Sequence, residues 1–327
     1  MTNLYKPEGM LISSLQNREY TANRASLEKA MAAGIILEGT AVLCDSDLNI
    51  HVDLHGIIGI IPKEEVIYNR SGEDVKDIAI ITRVGKPVCF KVMGMCEKDG
   101  KTVAILSRRE AQIECYRNFL SDLIPGDILQ AKVTHLENFG AFVDIGCGIV
   151  SLLSVDCLSI SRISHPSDRL YCGMSIYTVV KSIDPSNGRI FVSMKELLGT
   201  WEENASLFCP GQTVAGIIRS VENYGVFVEL TPNLAGLAEL RDDFPTLDIK
   251  DFKSKCHDGS TGRFAAVYIK SIIPERMKVK LVLIDSYKGE PASPKLNYFI
   301  DCENTTHIDV WKYSPECSNK QIETIFS

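Results

Sequence analysis

The chain has 327 residues, of which 45% are hydrophobic, and it carries a net charge of −7 with a pI of about 5.5. This length suits two or three domains, each with its own packed core. The acidic balance excludes the broadly basic surface of a strong, non-specific nucleic-acid binder. A local binding face remains compatible with it, because the distribution of charge matters more than its sum.

The N-terminal region, residues 1–35, is expected to be a helical extension. The segment "TANRASLEKAMAAGIIL" (21–37) predicts a helix that ends near Gly34. The first residues lack the basic and then apolar pattern of a signal peptide, and no apolar run reaches the roughly 18 residues of a membrane span. The eleven cysteines show no C-x-x-C spacing and are expected as free thiols in a reducing compartment. We therefore expect a cytoplasmic protein without a membrane partner.

Internal repetition dominates the rest of the chain. The segments "ENFGAFVDIG" (137–146) and "ENYGVFVELT" (222–231) begin 85 residues apart, and each follows a Pro-Gly pair and an alternating apolar run. Each also precedes a strand–turn–strand pattern, at 173–195 and 262–285, and a weaker copy lies at 37–56 with its hairpin at 84–110. Short β-branched runs bounded by Gly, Pro, Asn or Asp predict strands, so we expect three five-stranded β modules.

The repeats divide the chain into modules and connectors. Ser107 and Glu110 have the spacing of a capping box, which predicts a helix that ends before Pro125. A second helical connector is expected at 194–208, with Trp201 packed against a module. The expected division is 36–107 for module 1, 108–124 for a linker helix, 125–196 for module 2, 197–209 for a linker, 210–285 for module 3 and 286–327 for a C-terminal extension with short strands at 296–300 and 307–313.

Alternation separates the repeated segment into two faces. Ala141, Val143 and Ile145 fall on one face of a strand, and Phe142 and Asp144 fall on the other. The apolar face must be the buried one, so Phe142 and Asp144 are expected to point outward. The third module repeats this pattern with its own Phe and Glu.

Each copy also carries a second aromatic residue three positions before the Phe. Gly140 lies between Phe139 and Phe142, where a bulge or bend would bring the two rings together. Two aromatic rings on a curved sheet form the kind of surface on which oligonucleotide-binding barrels stack bases. The alternative is that the rings pack beneath a linker helix or a neighbouring module.

These patterns resemble the S1-type RNA-binding domain, a small barrel of the oligonucleotide-binding (OB) fold class. The resemblance rests on the Pro/Val-Gly opening, the aromatic-Gly-x-Phe-Val-Asp/Glu core and the closing "VKSIDPSNGRIFVSMKE", and it covers about residues 36–285. The linker "ELLGTWEENASLFCPGQ" is similar to connectors in short ribosomal-protein-like homologues of Gram-positive bacteria. The resemblance implies an all-β fold: three tandem five-stranded OB-fold S1-type barrels joined by short helices, with small α and β extensions at the termini.

The resemblance also implies which residues contact RNA: two aromatics, a polar residue on the third strand, and charged residues near the last hairpin. These positions hold Phe139, Phe142, Lys181, Asp184 and Arg189 in module 2, and Tyr224, Phe227, Lys270, Arg276 and Lys278 in module 3. The third-strand position, often His in the family, falls at Leu152 and Glu239. Module 1 has Leu48 and His51 in the aromatic positions, so we expect little RNA binding there.

The loop at 161–170 adds Arg162 and Arg169 as candidate phosphate contacts. Ser164, His165 and Asp168 in the same loop do not predict a catalytic triad, because triad members come from separate elements. His135 begins an H-x-E sequence, but the P-C-x-x-C part of a zinc deaminase signature is missing. No phosphate-binding loop, dinucleotide or zinc-protease motif occurs. We therefore expect no enzyme activity, no cofactor and no metal.

Two functions follow as hypotheses. The first is binding of single-stranded RNA, mRNA in particular, in translation, with the small ribosomal subunit or another RNA-processing complex as partner. The second is a ribosome- or protein-docking module with little RNA affinity, which the acidic balance and the degenerate first module favour. Residues 125–196 contain six Lys/Arg against seven Asp/Glu, and residues 210–285 contain ten of each. Since phosphate neutralisation supplies most non-specific affinity, single modules are expected to bind RNA weakly and salt-sensitively.

Overall fold

The computed structural model describes residues 5–69, 75–98, 100–222, 224–239, 263–288 and 296–326. Three closed barrels of five strands each lie within these ranges. Barrel 1 consists of β1 (Leu37–Cys44), β2 (Ile50–Leu54), β3 (Ile57–Ile61), β4 (Pro87–Lys98) and β5 (Lys101–Ser107). Barrel 2 consists of β6 (Ile128–Glu137), β7 (Gly140–Asp144), β8 (Val150–Ser154), β9 (Ser175–Ile183) and β10 (Ile190–Ser193). Barrel 3 consists of β11 (Thr213–Glu222), β12 (Gly225–Thr231), β13 (Leu234–Glu239), β14 (Arg263–Ile273) and β15 (Lys278–Lys288).

All three barrels share one topology, which confirms the predicted all-β fold class. The first three strands form a meander, the fifth strand pairs in parallel with the third, and the fourth strand closes the barrel between the fifth and the first. Ala141 and Val143 are fully buried in barrel 2, as the alternation predicts. β15 extends to Lys288, three residues into the segment expected to be a loop.

Bulges recur at equivalent places in the three barrels. The first strand of each barrel shifts register once, between Ala41 and Leu43, between Val133 and His135, and between Ile218 and Ser220. The fourth strand of each barrel also has one extra residue opposite the fifth strand, which is Met93, Lys181 or Lys270. In barrel 3 the same strand pair has a second register shift, between Ala266 and Val267. A bulge bends the strand and redirects the extra side chain, so the lysines of barrels 2 and 3 occupy equivalent, specially oriented positions.

Short helices occupy the termini and the connections. They are α1 (Leu15–Thr21), α2 (Arg24–Ala33), α3 (Asp77–Ile81), α4 (Arg108–Asn118) and α5 (Trp201–Ala205). The helix predicted at 21–37 is interrupted, because the Asn23 side chain accepts a hydrogen bond from Ser26 N and starts α2, which ends at Gly34 with φ 65°. The two connectors contain shorter helices than expected. Ser107 caps α4, and a capping box of Thr200 and Glu203 starts α5.

The N-terminal segment joins barrels 1 and 2 through Glu8. The Glu8 carboxylate accepts two hydrogen bonds from the Arg108 guanidinium, at 2.6 and 3.0 Å, and one from the backbone N–H of Cys89, at 3.0 Å. The backbone N–H of Glu8 donates to the Asp144 carboxylate at 2.7 Å. Asp144 is therefore buried, contrary to the expected outward position, because this segment covers it and supplies one of its hydrogen-bond donors. The backbone N–H groups of Gly146 and Gly148 supply the others.

Barrels 2 and 3 meet at a second buried polar junction. Arg169 and Glu229 are 3% and 4% exposed, and their side chains form an ion pair across the junction at 2.5 Å. Arg219 pairs with the same carboxylate at 2.6 Å. Asn233 is fully buried between the barrels, where its side chain accepts from Ile160 N and donates to the carbonyl oxygens of two residues that follow barrel 2.

The C-terminal segment packs against both barrel 2 and barrel 3. β16 (Val310–Lys312) pairs with β17 (Glu323–Ile325), so a strand forms inside the predicted range 307–313. No strand forms at 296–300, where the chain is irregular and the Tyr298 hydroxyl accepts a hydrogen bond from Tyr177 N at 2.9 Å. The indole of Trp201 packs in the core of barrel 3, as predicted. Within the described ranges, no helix has the length and apolarity needed to cross a membrane.

Candidate nucleic-acid interface

Two aromatic pairs, each with one exposed and one half-buried ring, occupy the same position in barrels 2 and 3. The rings of Phe139 and Phe142 lie 6.0 Å apart at an interplanar angle of 88°, and those of Tyr224 and Phe227 lie 6.2 Å apart at 89°. Phe139 is 54% exposed and Tyr224 is 62% exposed, so neither ring is covered by a linker helix or by a neighbouring barrel. The edge-to-face arrangement is favoured by the ring quadrupoles, and it leaves π faces open to a ligand.

The glycine between the two rings serves a purpose other than the predicted bulge. Gly140 pairs in regular register with Glu137 and Ser154, and the bulge lies in the opposing strand β6. A Cβ at Gly140 would lie 2.5 Å from the carbonyl oxygen of Leu153, and a Cβ at Gly225 would lie 2.7 Å from that of Ala238. The glycine therefore allows the third strand to approach closely.

The aromatic pair of barrel 2 belongs to a longer row that crosses the outer face of four strands. Phe142 lies opposite His135 on β6 and opposite Leu152 on β8, and Leu152 lies opposite Phe191 on β10. The His135 ring stacks beside Phe142, with centroids 6.5 Å apart and an angle of 20°. Neighbouring strands lie about 4.8 Å apart. Phe142 and Phe191 therefore stand about 10 Å apart, with Leu152 as the floor between them.

Barrel 3 carries the corresponding row with different chemistry. Ser220, Phe227, Leu237 and Lys280 lie opposite one another in that order. The register corrects the expectation that Glu239 holds the third-strand position, because Glu239 lies opposite Gly225 and Leu237 lies opposite Phe227. Both barrels thus place leucine beside the central phenylalanine.

The hairpin of barrel 2 places its predicted polar residues at one end of the sheet. Lys181 is the bulged residue of β9, and its ammonium lies 3.0 Å from the Cys157 sulfur, a contact that raises the pKa of Lys181. The Asp184 carboxylate accepts from the backbone and hydroxyl of Ser186 and from the Asn187 amide, and these hydrogen bonds lower the pKa of Asp184. Asp184 therefore closes the turn that presents Arg189, whose side chain is exposed.

The two arginines of the 161–170 loop have opposite environments. Arg162 is exposed and remains a candidate phosphate contact. Arg169 is buried in the ion pair with Glu229. This corrects the expectation for Arg169, since its guanidinium is held inside the junction and does not face solvent.

The same loop shows no triad geometry. His165 Nδ1 lies 2.7 Å from Ser167 Oγ and accepts from Ser167 N at 3.1 Å, which caps a single turn. Asp168 pairs with Arg219 at 3.1 Å. Both groups thus hold the loop and the junction. Among the described residues, no group of three or more potential ligands is placed to hold a metal ion.

The predicted basic residues of barrel 3 are all exposed. Lys270 is the bulged residue of β14, Arg276 lies in the turn after it, and Lys278 begins β15. Lys280 follows two residues later on the same strand and is also exposed. These four cations therefore lie at or near the hairpin that joins β14 and β15, beside the fifth-strand end of the row.

Barrel 1 has an apolar row in the equivalent position. Leu43, His51, Ile60 and Ile105 lie opposite one another across four strands. The His51 ring is tied to the Asp45 carboxylate at 3.1 Å, and Leu48 packs against the core of barrel 1. No exposed aromatic pair forms on this part of the described chain.

Two members of the barrel 2 row are absent from the residues selected by sequence. His135 and Phe191 join the row of Phe142 only through strand register, because His135 lies opposite Phe142 and Phe191 lies opposite Leu152, 39 positions away in the chain. The sequence signal available for Phe191 is its alternation with the buried Ile190 and Val192. That alternation predicts an outward ring without identifying its neighbours.

Comparison with known proteins adds an independent finding. Residues 122–195 match the S1 RNA binding domain. The chain is 28% identical over 241 residues to the small ribosomal subunit protein bS1 of Rhizobium meliloti, covering 71% of this chain and 40% of that protein. It is 33% identical over 190 residues to the bS1 homolog of Bacillus subtilis, covering 57% of this chain and 47% of that protein. It is 25% identical over 281 residues to bS1 of Chlamydia muridarum, covering 84% and 47%.

The chain therefore spans less than half the length of each of these curated relatives. The matched domain coincides with the barrel that carries the most complete aromatic row. Barrel 2 accordingly matches the S1 RNA binding domain, and the chain shows homology to bacterial ribosomal protein bS1 over part of that protein's length.

Proposed function

We propose that the protein binds single-stranded RNA on the outer faces of barrels 2 and 3. The observation that carries this proposal is the exposed edge-to-face aromatic pair, which recurs with nearly identical geometry in both barrels. Leaving rings of this size exposed to water costs free energy that burial in a core or against a ligand would recover, and here they lie outside the packed cores. Base stacking on such a ring contributes about 1–3 kcal/mol per base and tolerates any sequence.

The surrounding charges support modest and salt-dependent binding. Barrel 2 offers the exposed cations Lys181, Arg189 and Arg162, but the Asp156 carboxylate lies 4.0 Å from Lys181 and the Asp184 carboxylate interacts with Arg189. Each phosphate contact adds counterion release and hence sensitivity to salt. Two barrels on one strand raise the affinity further through effective concentration.

The relatives give the proposal its cellular setting. They are named as proteins of the small ribosomal subunit. By this likeness we propose that the RNA is mRNA, that the small ribosomal subunit or another RNA-processing complex is the partner, and that the protein acts in the cytoplasm by binding, without catalysis. The preference for RNA over DNA comes from the domain match.

The surface of barrel 1 supports a second proposed role, which is docking on another protein. Its exposed surface includes Val42, Leu43, Ile58 and Met93, each 42–54% exposed, in place of the aromatic and basic residues of the other barrels. Clustered apolar side chains on a surface indicate a protein contact more than an RNA contact. We also propose that the bounds 36–107, 125–196 and 210–285 delimit the three domains.

Fluorescence anisotropy with labelled oligouridine tests the RNA proposal. The double variants Phe139→Ala/Phe142→Ala and Tyr224→Ala/Phe227→Ala should each weaken binding about tenfold or more, because each removes stacking worth about 1–3 kcal/mol per base. Leu43→Ala, in the row of barrel 1 at the position that His135 holds in barrel 2, serves as the control and should leave the affinity unchanged. Equal binding by the wild type and both double variants would show that the aromatic faces are not the RNA site. If none of them binds, barrel 1 docking becomes the better proposal.

A further inference from the structure

The rows of barrels 2 and 3 share their centre and differ at the fifth strand. Both have a phenylalanine on the second strand, Phe142 or Phe227, and a leucine on the third. The fifth-strand residue opposite that leucine is Phe191 in barrel 2 and Lys280 in barrel 3. One position therefore presents an aromatic ring in one barrel and an ammonium group in the other.

Phe191 has the environment of a ligand contact. Its neighbours in the chain, Ile190 and Val192, are buried, whereas Phe191 is half-buried on the outer face. Phe191 lies opposite Ser182 on one side and opposite Leu152 on the other. Leu152 also lies opposite Phe142, so the surface between Phe191 and Phe142 is apolar. Two bases can stack at the two ends of this floor, because the rings stand about 10 Å apart at ordinary strand spacing.

Lys280 has the environment of a phosphate contact. It is exposed, and it lies opposite Ser271, next to the bulged Lys270 on β14. Lys278 lies two residues away on the same strand and therefore on the same face. Arg276 and Glu275, both exposed, lie in the intervening turn and offset one another in charge. The three lysines therefore place positive charge at the end of the row that contains Phe227 and Leu237.

The cations of barrel 2 lie closer to carboxylates than the described lysines of barrel 3 do. The Lys181 ammonium lies 4.0 Å from the Asp156 carboxylate, and the positive charge of Arg189 acts on the carboxylate of Asp184. Such exposed pairs are weak in themselves, but they reduce the local field that a phosphate would meet. Barrel 2 thus presents mainly rings, whereas barrel 3 presents rings and three lysines that form no ion pair within the described ranges of the chain.

We propose that the two barrels divide the recognition of one RNA strand, and that the fifth-strand residue sets the division. Barrel 2 binds bases through the Phe142–Phe191 row, and barrel 3 binds the phosphate backbone through Lys280 together with Lys270 and Lys278. This inference rests on the proposed RNA-binding function. It assigns a base contact to Phe191 and a phosphate contact to Lys280.

The test measures the affinity of the full chain for a labelled oligouridine over a series of NaCl concentrations. Lys280→Gln should lower the slope of log affinity against log salt by about 0.7, the value for one phosphate contact on a single strand. Phe191→Leu, which keeps the apolar volume but removes the π face, should weaken binding about tenfold at every salt concentration and leave the slope unchanged. Phe191→Tyr should retain the affinity of the wild type. Lys312→Gln, an exposed lysine of β16 away from the row, is the matched charge control and should change neither value.

The outcomes separate this inference from the function on which it rests. If the wild type fails to bind oligouridine, the proposed function and this inference both fail. If the wild type binds but Lys280→Gln keeps the full slope, or Phe191→Leu binds like the wild type, the division of labour is wrong and RNA binding stands. Thermal unfolding of each variant shows whether an affinity change comes from loss of the fold.

Discussion

At the scale of single residues, the sequence predicted the exposed aromatic rings but not the burial of two carboxylates. The two aromatic pairs could be predicted, because a motif written twice places the same rings on the same strand. Asp144 and Glu229 could not be placed correctly, since their partners Glu8 and Arg169 lie far away in the chain. Alternation assigns a residue to a face, but it does not show what covers that face.

Gly140 offers a test at this scale. Gly140→Ala should destabilise the protein by about 1–3 kcal/mol, because the added Cβ would lie 2.5 Å from the Leu153 carbonyl oxygen and force the strands apart. Gly94→Ala is the matched control, since Gly94 also lies in a strand and no heavy atom lies within 4 Å of its added Cβ. Chemical denaturation measures both. Equal stability of the two variants would contradict the close-approach explanation.

At the scale of strands and helices, local patterns predicted the types of elements better than their extents. The strands of each barrel follow from short β-branched runs between turn residues. The connector helices are shorter than expected, because Thr200 caps α5 only after a turn of 3₁₀ helix. Residues 296–300 read as a strand but form none, since Phe299 N donates to Leu197 O and Tyr298 reaches Tyr177, which fixes an irregular path.

The junction between barrels 2 and 3 gives a prediction about how elements are held. Arg169→Ala should cost about 1.5–3 kcal/mol, because it removes one charged hydrogen bond from the buried Glu229 carboxylate, which keeps its contacts to Arg219. Arg162→Ala, in the same loop but exposed, should change stability by less than about 0.5 kcal/mol. Urea unfolding of the two variants provides the measurement. A small effect of Arg169→Ala would show that the junction contributes little to the fold.

At the scale of the whole molecule, the terminal segments fix the barrels to one another. The N-terminal segment contacts barrels 1 and 2 through Glu8, and the C-terminal segment contacts barrels 2 and 3 through Tyr298 and Tyr313. The sequence suggested extensions at both ends without showing these roles, because such contacts depend on three-dimensional proximity. The positions of the two aromatic faces therefore depend on segments outside the barrels.

The C-terminal segment should respond to pH through His307. Its ring contacts the Asp127 carboxylate at 2.7 Å, and this hydrogen bond raises the pKa of His307 above its usual 6.5. The stabilisation is therefore fully present below about pH 6.5 and is lost as the pH rises through the folded-state pKa. Melting temperatures of the wild type and His307→Gln should differ most at mildly acidic pH and converge at alkaline pH. In an Asp127→Asn background the pH dependence of that difference should become smaller, and the remainder comes from Asp309, whose carboxylate lies 3.3 Å from Nε2 of His307. An unchanged pH dependence would show that Asp127 is not responsible.

Ultraviolet cross-linking of the full chain to single-stranded RNA, followed by mass spectrometry of the linked peptides, tests most directly whether the aromatic faces bind RNA. The expected cross-links lie in the peptides that contain Phe139 and Phe142, Phe191, or Tyr224 and Phe227. They should decrease when unlabelled RNA competes. Cross-links confined to barrel 1, or to surfaces of barrels 2 and 3 away from these rings, would contradict RNA binding by aromatic stacking on the two barrels.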